Sequence, residues 1–221
     1  MFENLRNAVN RHFDEAAEKY VNDLAGINCK YALDHWYYRD QMTAAAFEMV
    51  KAADPADPIP ASAAAKMIKR FNASNEKNRA QYLGRLDRAE NAAPLDNAVI
   101  VVTWAKSRTW GYNPTAVVTC NGDSYRQTED SASGCGYDKE SAAICGAFAK
   151  NPVIMRAIYE HAERGGKFPY SVNTYAGIPY FDGGCGVSCN YNVFDAIGYK
   201  FSDVSHSRSG NRADVYQITK A

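Results

Sequence analysis

Pro94-Leu95-Asp96-Asn97-Ala98-Val99-Ile100-Val101-Val102-Thr103-Trp104 separates two kinds of sequence. Its first four residues, with Pro94, Asp96 and Asn97 as turn formers, mark a boundary, and the rest is a short β-branched run of the kind that fills a core strand. Upstream the apolar residues recur at helical spacing; downstream short strands alternate with helices. The boundary is therefore placed here, with a helical region over 1–95 and an α+β domain over 96–221.

Working toward the N-terminus, Phe2, Leu5, Val9, Phe13, Tyr20 and Leu24 mark one face of a first helix, with Gly26 as its expected C-cap. A second helix is expected over about 30–53, carrying Leu33, Trp36, Tyr37, Met49 and Val50. Pro55, Pro58 and Pro60 end it, because proline lacks an N–H and clashes with the preceding turn. A third runs over about 62–91 on Met67, Phe71, Tyr82 and Leu86, with a break expected at Asn72-Ala73-Ser74-Asn75.

Toward the C-terminus, 115–120 and 124–129 read as a hairpin around Asn121-Gly122, whose residues tolerate the positive φ of a tight turn. A helix over about 139–150 restarts at Asn151-Pro152 and stops at Gly165-Gly166. A short extended piece at 178–181, a helix over 190–197 and a closing hairpin of 199–204 with 213–218 complete the order. An antiparallel sheet covered by helices is the predicted architecture, hence α+β.

The 25 basic and 25 acidic residues cancel, so net charge advertises neither nucleic acid nor a membrane as partner. Locally the balance tilts: residues 59–97 hold seven basic and four acidic side chains. Lys66, Lys69 and Arg70, with Lys77, Arg79, Arg85 and Arg88, form either a phosphate-contacting face or the solvated side of a helix. No apolar run approaches the roughly 18 residues of a membrane span. The charged start, Met1-Phe2-Glu3-Asn4-Leu5-Arg6, leads into no apolar signal core, so the cytoplasm is the expected compartment and the six cysteines are expected as free thiols.

Two Gly-Cys-Gly tripeptides stand out, at Cys135 and Cys185, each just before a predicted helix. There the positive helix end favours the thiolate, although a tight turn around a small buried side chain explains the same residues. Cys185, then His206, then Asp214 follow the element order of papain-like hydrolases, with no papain-type signature around the cysteine. Cys185 and Cys189 have the spacing of a zinc pair, but a second close pair is missing, so neither a metal nor a cofactor is expected. Phosphate-loop, dinucleotide and His-Glu-x-x-His motifs are absent. Two loops mix residue types enriched at interface hot spots: Arg108, Trp110 and Tyr112 in one, His206, Arg208 and Arg212 in the other.

The strings Ser107-Arg108-Thr109-Trp110-Gly111-Tyr112-Asn113-Pro114 and Ser133-Gly134-Cys135-Gly136-Tyr137-Asp138-Lys139-Glu140-Ser141-Ala142-Ala143 resemble segments of a phage and mobile-element protein family of gut-type bacteria. The resemblance covers the C-terminal half and carries no activity with it. It implies a context, that of an accessory protein binding a host protein or nucleoprotein. The leading expectation is accordingly a non-enzymatic modulator of host defence. A cysteine-dependent hydrolase or transferase using Cys185 or Cys135, and a direct nucleic-acid binder, are the alternatives.

Overall fold

The computed structural model describes residues 1–106, 112–129, 139–169, 172–181, 186–207 and 212–221. Among these lie eight helices and seven strands: α1 (Glu3–Ala25), α2 (Cys29–Asp34), α3 (Trp36–Asp40), α4 (Ala44–Ala52), α5 (Ala61–Glu90), β1 (Asn97–Lys106), β2 (Tyr112–Cys120), β3 (Asp123–Thr128), α6 (Lys139–Lys150), α7 (Pro152–Glu163), β4 (Val172–Tyr175), β5 (Ile178–Phe181), α8 (Cys189–Ala196), β6 (Tyr199–Ser207) and β7 (Ala213–Lys220). The fold is α+β, with an all-antiparallel five-stranded sheet in the order β3-β2-β1-β7-β6 and a separate β4-β5 hairpin. Two compact units form, one from Asn7–Gly84 and one from Met1–Arg6 together with Arg85–Ala221.

The helical unit is built around aromatic packing. Tyr20 stacks on Phe71 with ring centroids 4.1 Å apart and planes 5° from parallel. Tyr38, Met42, Ala46, Val50, Ala63 and Met67 join the same cluster. Where one helix was expected over 30–53 there are three. His35 adopts an extended conformation (φ −92°, ψ 117°) between α2 and α3, and Thr43 starts α4 by accepting the Ala46 N–H. The Thr43 cap interrupts a continuous helix at one point, and the extended backbone of His35, without a side-chain cap bond, at the other. The expected break at 72–75 does not occur: α5 is one helix, and Asn75, buried, donates from Nδ2 to the Phe13 carbonyl at 2.7 Å. Tertiary partnership has overridden the local preference of asparagine for a cap. Nor is Gly26 among the residues of positive φ, so α1 ends without a left-handed cap.

In the sheet unit β1 alternates as its sequence demands, Ala98, Ile100 and Val102 being buried and Val99 40% exposed. The inner face of the sheet carries α6 and α8, through an aromatic chain in which Phe194 lies 5.3 Å from Phe148 and 5.9 Å from Phe201, and Phe201 5.4 Å from Tyr216. Asn121 and Gly122 take the positive φ values of 52° and 88° that their tight turn requires. Asn151 caps α7 by accepting the Val153 and Ile154 N–H groups, with Pro152 in the first helical position. The first turn of α1 belongs here too: Phe2 meets the Tyr159 ring edge-on, and the Glu163 carboxylate accepts the Asn4 and Leu5 N–H groups. A carboxylate there satisfies backbone donors that no helix can pair internally.

Candidate functional site

β7 alternates buried and half-buried positions, and its inward phase reads Asp214, Tyr216, Ile218. A carboxylate in the phase of a strand that faces the core must be paired or hydrogen-bonded. Asp214 is only 3% exposed, and both its oxygens are occupied. Oδ2 accepts the Trp104 indole N–H at 2.8 Å and the Arg212 Nε–H at 3.3 Å, while Oδ1 lies 2.9 Å from His206 Nδ1. Burial pushes the Asp214 carboxyl upward, but the bonds from His206 and Trp104 and the charge of Arg212 outweigh it and hold it below the ordinary carboxylate range.

His206 reaches this position through an irregularity in β6. Asp203 pairs with Tyr216, but the register shifts between Asp203 and Ser205, so that His206 rather than Ser205 stands opposite Asp214. One extra residue reverses which face every following side chain occupies. The bulge at Val204, 57% exposed, thus turns the imidazole toward the inner face. The ring lies edge-on to Tyr216 at 5.8 Å, and its side chain remains 44% exposed. Nδ1 faces Asp214, and Nε2 lies 3.9 Å from Asp203 Oδ1, beyond hydrogen-bond reach of it.

The surrounding groups are equally fixed. The Arg212 guanidinium lies 4.3 Å over the Trp104 ring, a cation–π contact. Glu140, in the first turn of α6, accepts the Tyr216 hydroxyl at 2.7 Å and thereby brings the positive end of that helix to the same place. Glu140, His206, Arg212, Asp214 and Tyr216 line a cavity of about 200 Å³. The pairs Lys106–Tyr112 of β1–β2 and Ser207–Ala213 of β6–β7 lie at the Trp104–His206 end of the sheet.

Of the residues singled out in the sequence, His206, Asp214 and Arg212 come together, and His206 lies within β6 rather than at the hairpin tip. Tyr112 is 59% exposed at the start of β2, and Lys66, Lys69 and Arg70 are exposed on α5, Arg70 donating to the Met42 carbonyl. Cys135, Cys185, Arg108, Trp110 and Arg208 lie outside the described residues. Sequence reasoning missed Trp104, Glu140 and Tyr216. The signal for Trp104 was present, since it continues the inward alternation of Ala98, Ile100 and Val102, and Tyr216 stands two residues from Asp214 in the inward phase of β7.

The remaining described cysteines are free. Burial pushes the Cys29 and Cys120 thiols up, and Cys120 accepts a hydrogen bond from Asn151. Cys145 is enclosed with Ser141 and Asn190. Among the described residues no group of three His, Cys, Asp or Glu side chains is placed to hold a metal ion, and no helix is long and apolar enough to cross a membrane. No family model matches the chain, and neither a curated protein nor a solved structure is similar enough to match.

Proposed function

We propose that this chain is a thiol-dependent acyl hydrolase or transferase in which His206, oriented by Asp214, is the general base. The observation that carries the reading is the buried, triply bonded Asp214 carboxylate fixing a half-exposed imidazole through its Nδ1. That is the base-and-orienter half of a nucleophilic triad. Cys135 is the assigned nucleophile. In sequence it stands directly upstream of α6, whose Glu140 is bound to Tyr216 of the same cavity. Cys185, upstream of α8, is the other candidate.

In the proposed reaction the thiol proton passes to His206 Nε2 and the sulfur bonds to an acyl carbon. The bond to the leaving group breaks, and that group takes its proton from the imidazolium. Water or an acceptor nucleophile, deprotonated by the same nitrogen, then releases the acyl group and restores the thiol. The test requires no substrate. Iodoacetamide labelling near neutral pH, mapped by mass spectrometry, should modify Cys135 at least tenfold faster than half-buried Cys189 and lose that advantage in His206→Ala. Cys135 and Cys185 both reacting no faster than Cys189, or an unchanged rate in His206→Ala, would overturn the assignment.

A second reading, a mobile-element accessory protein that binds a host protein or nucleoprotein and modulates host defence, draws on the exposure of Tyr112, Lys66, Lys69 and Arg70. It predicts that Cys135→Ser and Cys185→Ser retain the biological effect, whereas the enzymatic reading predicts that one of them abolishes it.

A further inference from the structure

A larger cavity, of about 500 Å³, lies in the sheet unit apart from the His206 cavity, with which it shares no lining residue. Its volume falls within the range of small-molecule sites. Arg85 and Arg88, one turn apart on the last part of α5, share a helix face and line it. Lys150, the last residue of α6, lines it as well, and no described lining residue is a carboxylate.

The lysine is deliberately positioned. Its Nζ donates to Gln127 Oε1 at 2.6 Å and to the Arg126 carbonyl at 3.2 Å, two neutral acceptors that fix the ammonium without cancelling its charge. Gln127 can lie there only because residue 146 is glycine: a Cβ at Gly146 would come within 2.6 Å of Gln127 Cγ. The rest of the wall is of a different character. Met155 and Pro179 are buried, and the Tyr180 ring, 39% exposed, stands at the rim. Pro152, the first residue of α7, adds the positive end of a twelve-residue helix.

A cleft lined by three cations together with apolar and aromatic surface matches a ligand that is polyanionic at one end and planar at the other. We propose that it binds a nucleoside phosphate, the phosphates on Arg85, Arg88 and Lys150 and the base against Tyr180. A guanidinium pair suits phosphate oxygens, which accept its forked donors, and a tyrosine face suits any base.

The full chain would be titrated calorimetrically with ADP, adenosine, inorganic phosphate and a short single-stranded oligonucleotide. ADP is expected to bind, with adenosine and inorganic phosphate each at least roughly tenfold weaker. Arg88→Glu and Lys150→Gln, both at exposed positions, should each weaken ADP at least about tenfold with unchanged circular dichroism. Gly146→Ala should weaken it in the same direction by displacing Gln127. Affinity unaltered in Arg88→Glu and Lys150→Gln, adenosine binding as tightly as ADP, or no ADP binding near 1 mM would overturn the proposal. Phosphate binding as tightly as ADP would remove the nucleoside from it, and oligonucleotide binding without ADP binding would replace it with a nucleic-acid site. None of these outcomes depends on the reactivity of Cys135.

Discussion

Asp214→Ala is the perturbation that most directly tests the site. The substitution leaves three donors without their acceptor, and their exposure decides what each loss costs. The side chains of Arg212 and His206 are 51% and 44% exposed, so both turn to water and lose about 0–1 kcal/mol apiece. The Trp104 indole N–H is part-buried and has Asp214 as its acceptor, so stranding it costs about 1–3 kcal/mol. The expected total is about 1–5 kcal/mol. On a Trp104→Phe background, which keeps a ring under Arg212 and removes the N–H, Asp214→Ala should cost about 1–3 kcal/mol less. Hydrogen exchange of the β7 amides reads the opening free energy of this unit separately from the helical one. A coupling of less than about 0.5 kcal/mol in this cycle refutes the view that the indole anchors the carboxylate.

The same carboxylate sets a pH dependence. Its folded pKa lies below the unfolded value of about 3.9, so its stabilisation is present above that value and disappears as pH falls through the folded pKa. The stability gap between the protein and Asp214→Asn should therefore be widest near neutrality and close in acid, and a gap that widened below about pH 4 would contradict this. In the helical unit, the Tyr20 hydroxyl is buried with no hydrogen-bond partner among the described residues, and burial raises its pKa. Tyr20→Phe should be neutral or stabilising by about 1 kcal/mol in urea unfolding; a loss of that size would reveal a partner for the hydroxyl. Phe148→Ala removes a fully buried ring packed on Phe181 and Phe194 and should cost about 3–5 kcal/mol, measured by exchange of the α6 amides. Cys29, Cys120 and Cys145, all buried, should resist alkylation until urea opens the fold, and prompt labelling of any of them would contradict their burial.

The elements that announced themselves in the sequence are those whose signal is local. The strand at 98–104, the Asn121-Gly122 turn and the Asn151-Pro152 restart each combine a period or cap with a backbone requirement that few other residues meet. What the sequence misled on was decided at a distance. Asn72–Asn75 has the composition of a helix break, and the carbonyl of Phe13, far away along the chain, made it helix instead. The single helix expected over 30–53 failed because His35 and Thr43 supply stops whose strength depends on what Tyr38 and Met42 pack against. The β4 strand was missed since 172–175 carries little apolar alternation and exists by pairing with β5. Within the site, His206 and Asp214 were legible as chemistry but not as neighbours at 2.9 Å, because a bulge has no sequence signature comparable to that of a tight turn.

The strand order has a consequence for how the chain is made. β7 follows β1 to β6 in the sequence, yet it lies between β1 and β6 in the sheet. While the ribosome is still adding the intervening residues, about a hundred of them, β1 has β2 on one side and an open edge on the other. At roughly 5–20 residues per second that edge stays unpaired for on the order of 5–20 seconds. It carries Val99, Ile100, Val101 and Val102, a short apolar β-branched run of the type that recruits other chains. A nascent chain stalled or truncated before 213 would retain this adhesive strand permanently. Its yield as soluble protein should depend on holdase chaperones far more than that of a chain that includes β7, whose eight residues, Ala213–Lys220, close the sheet.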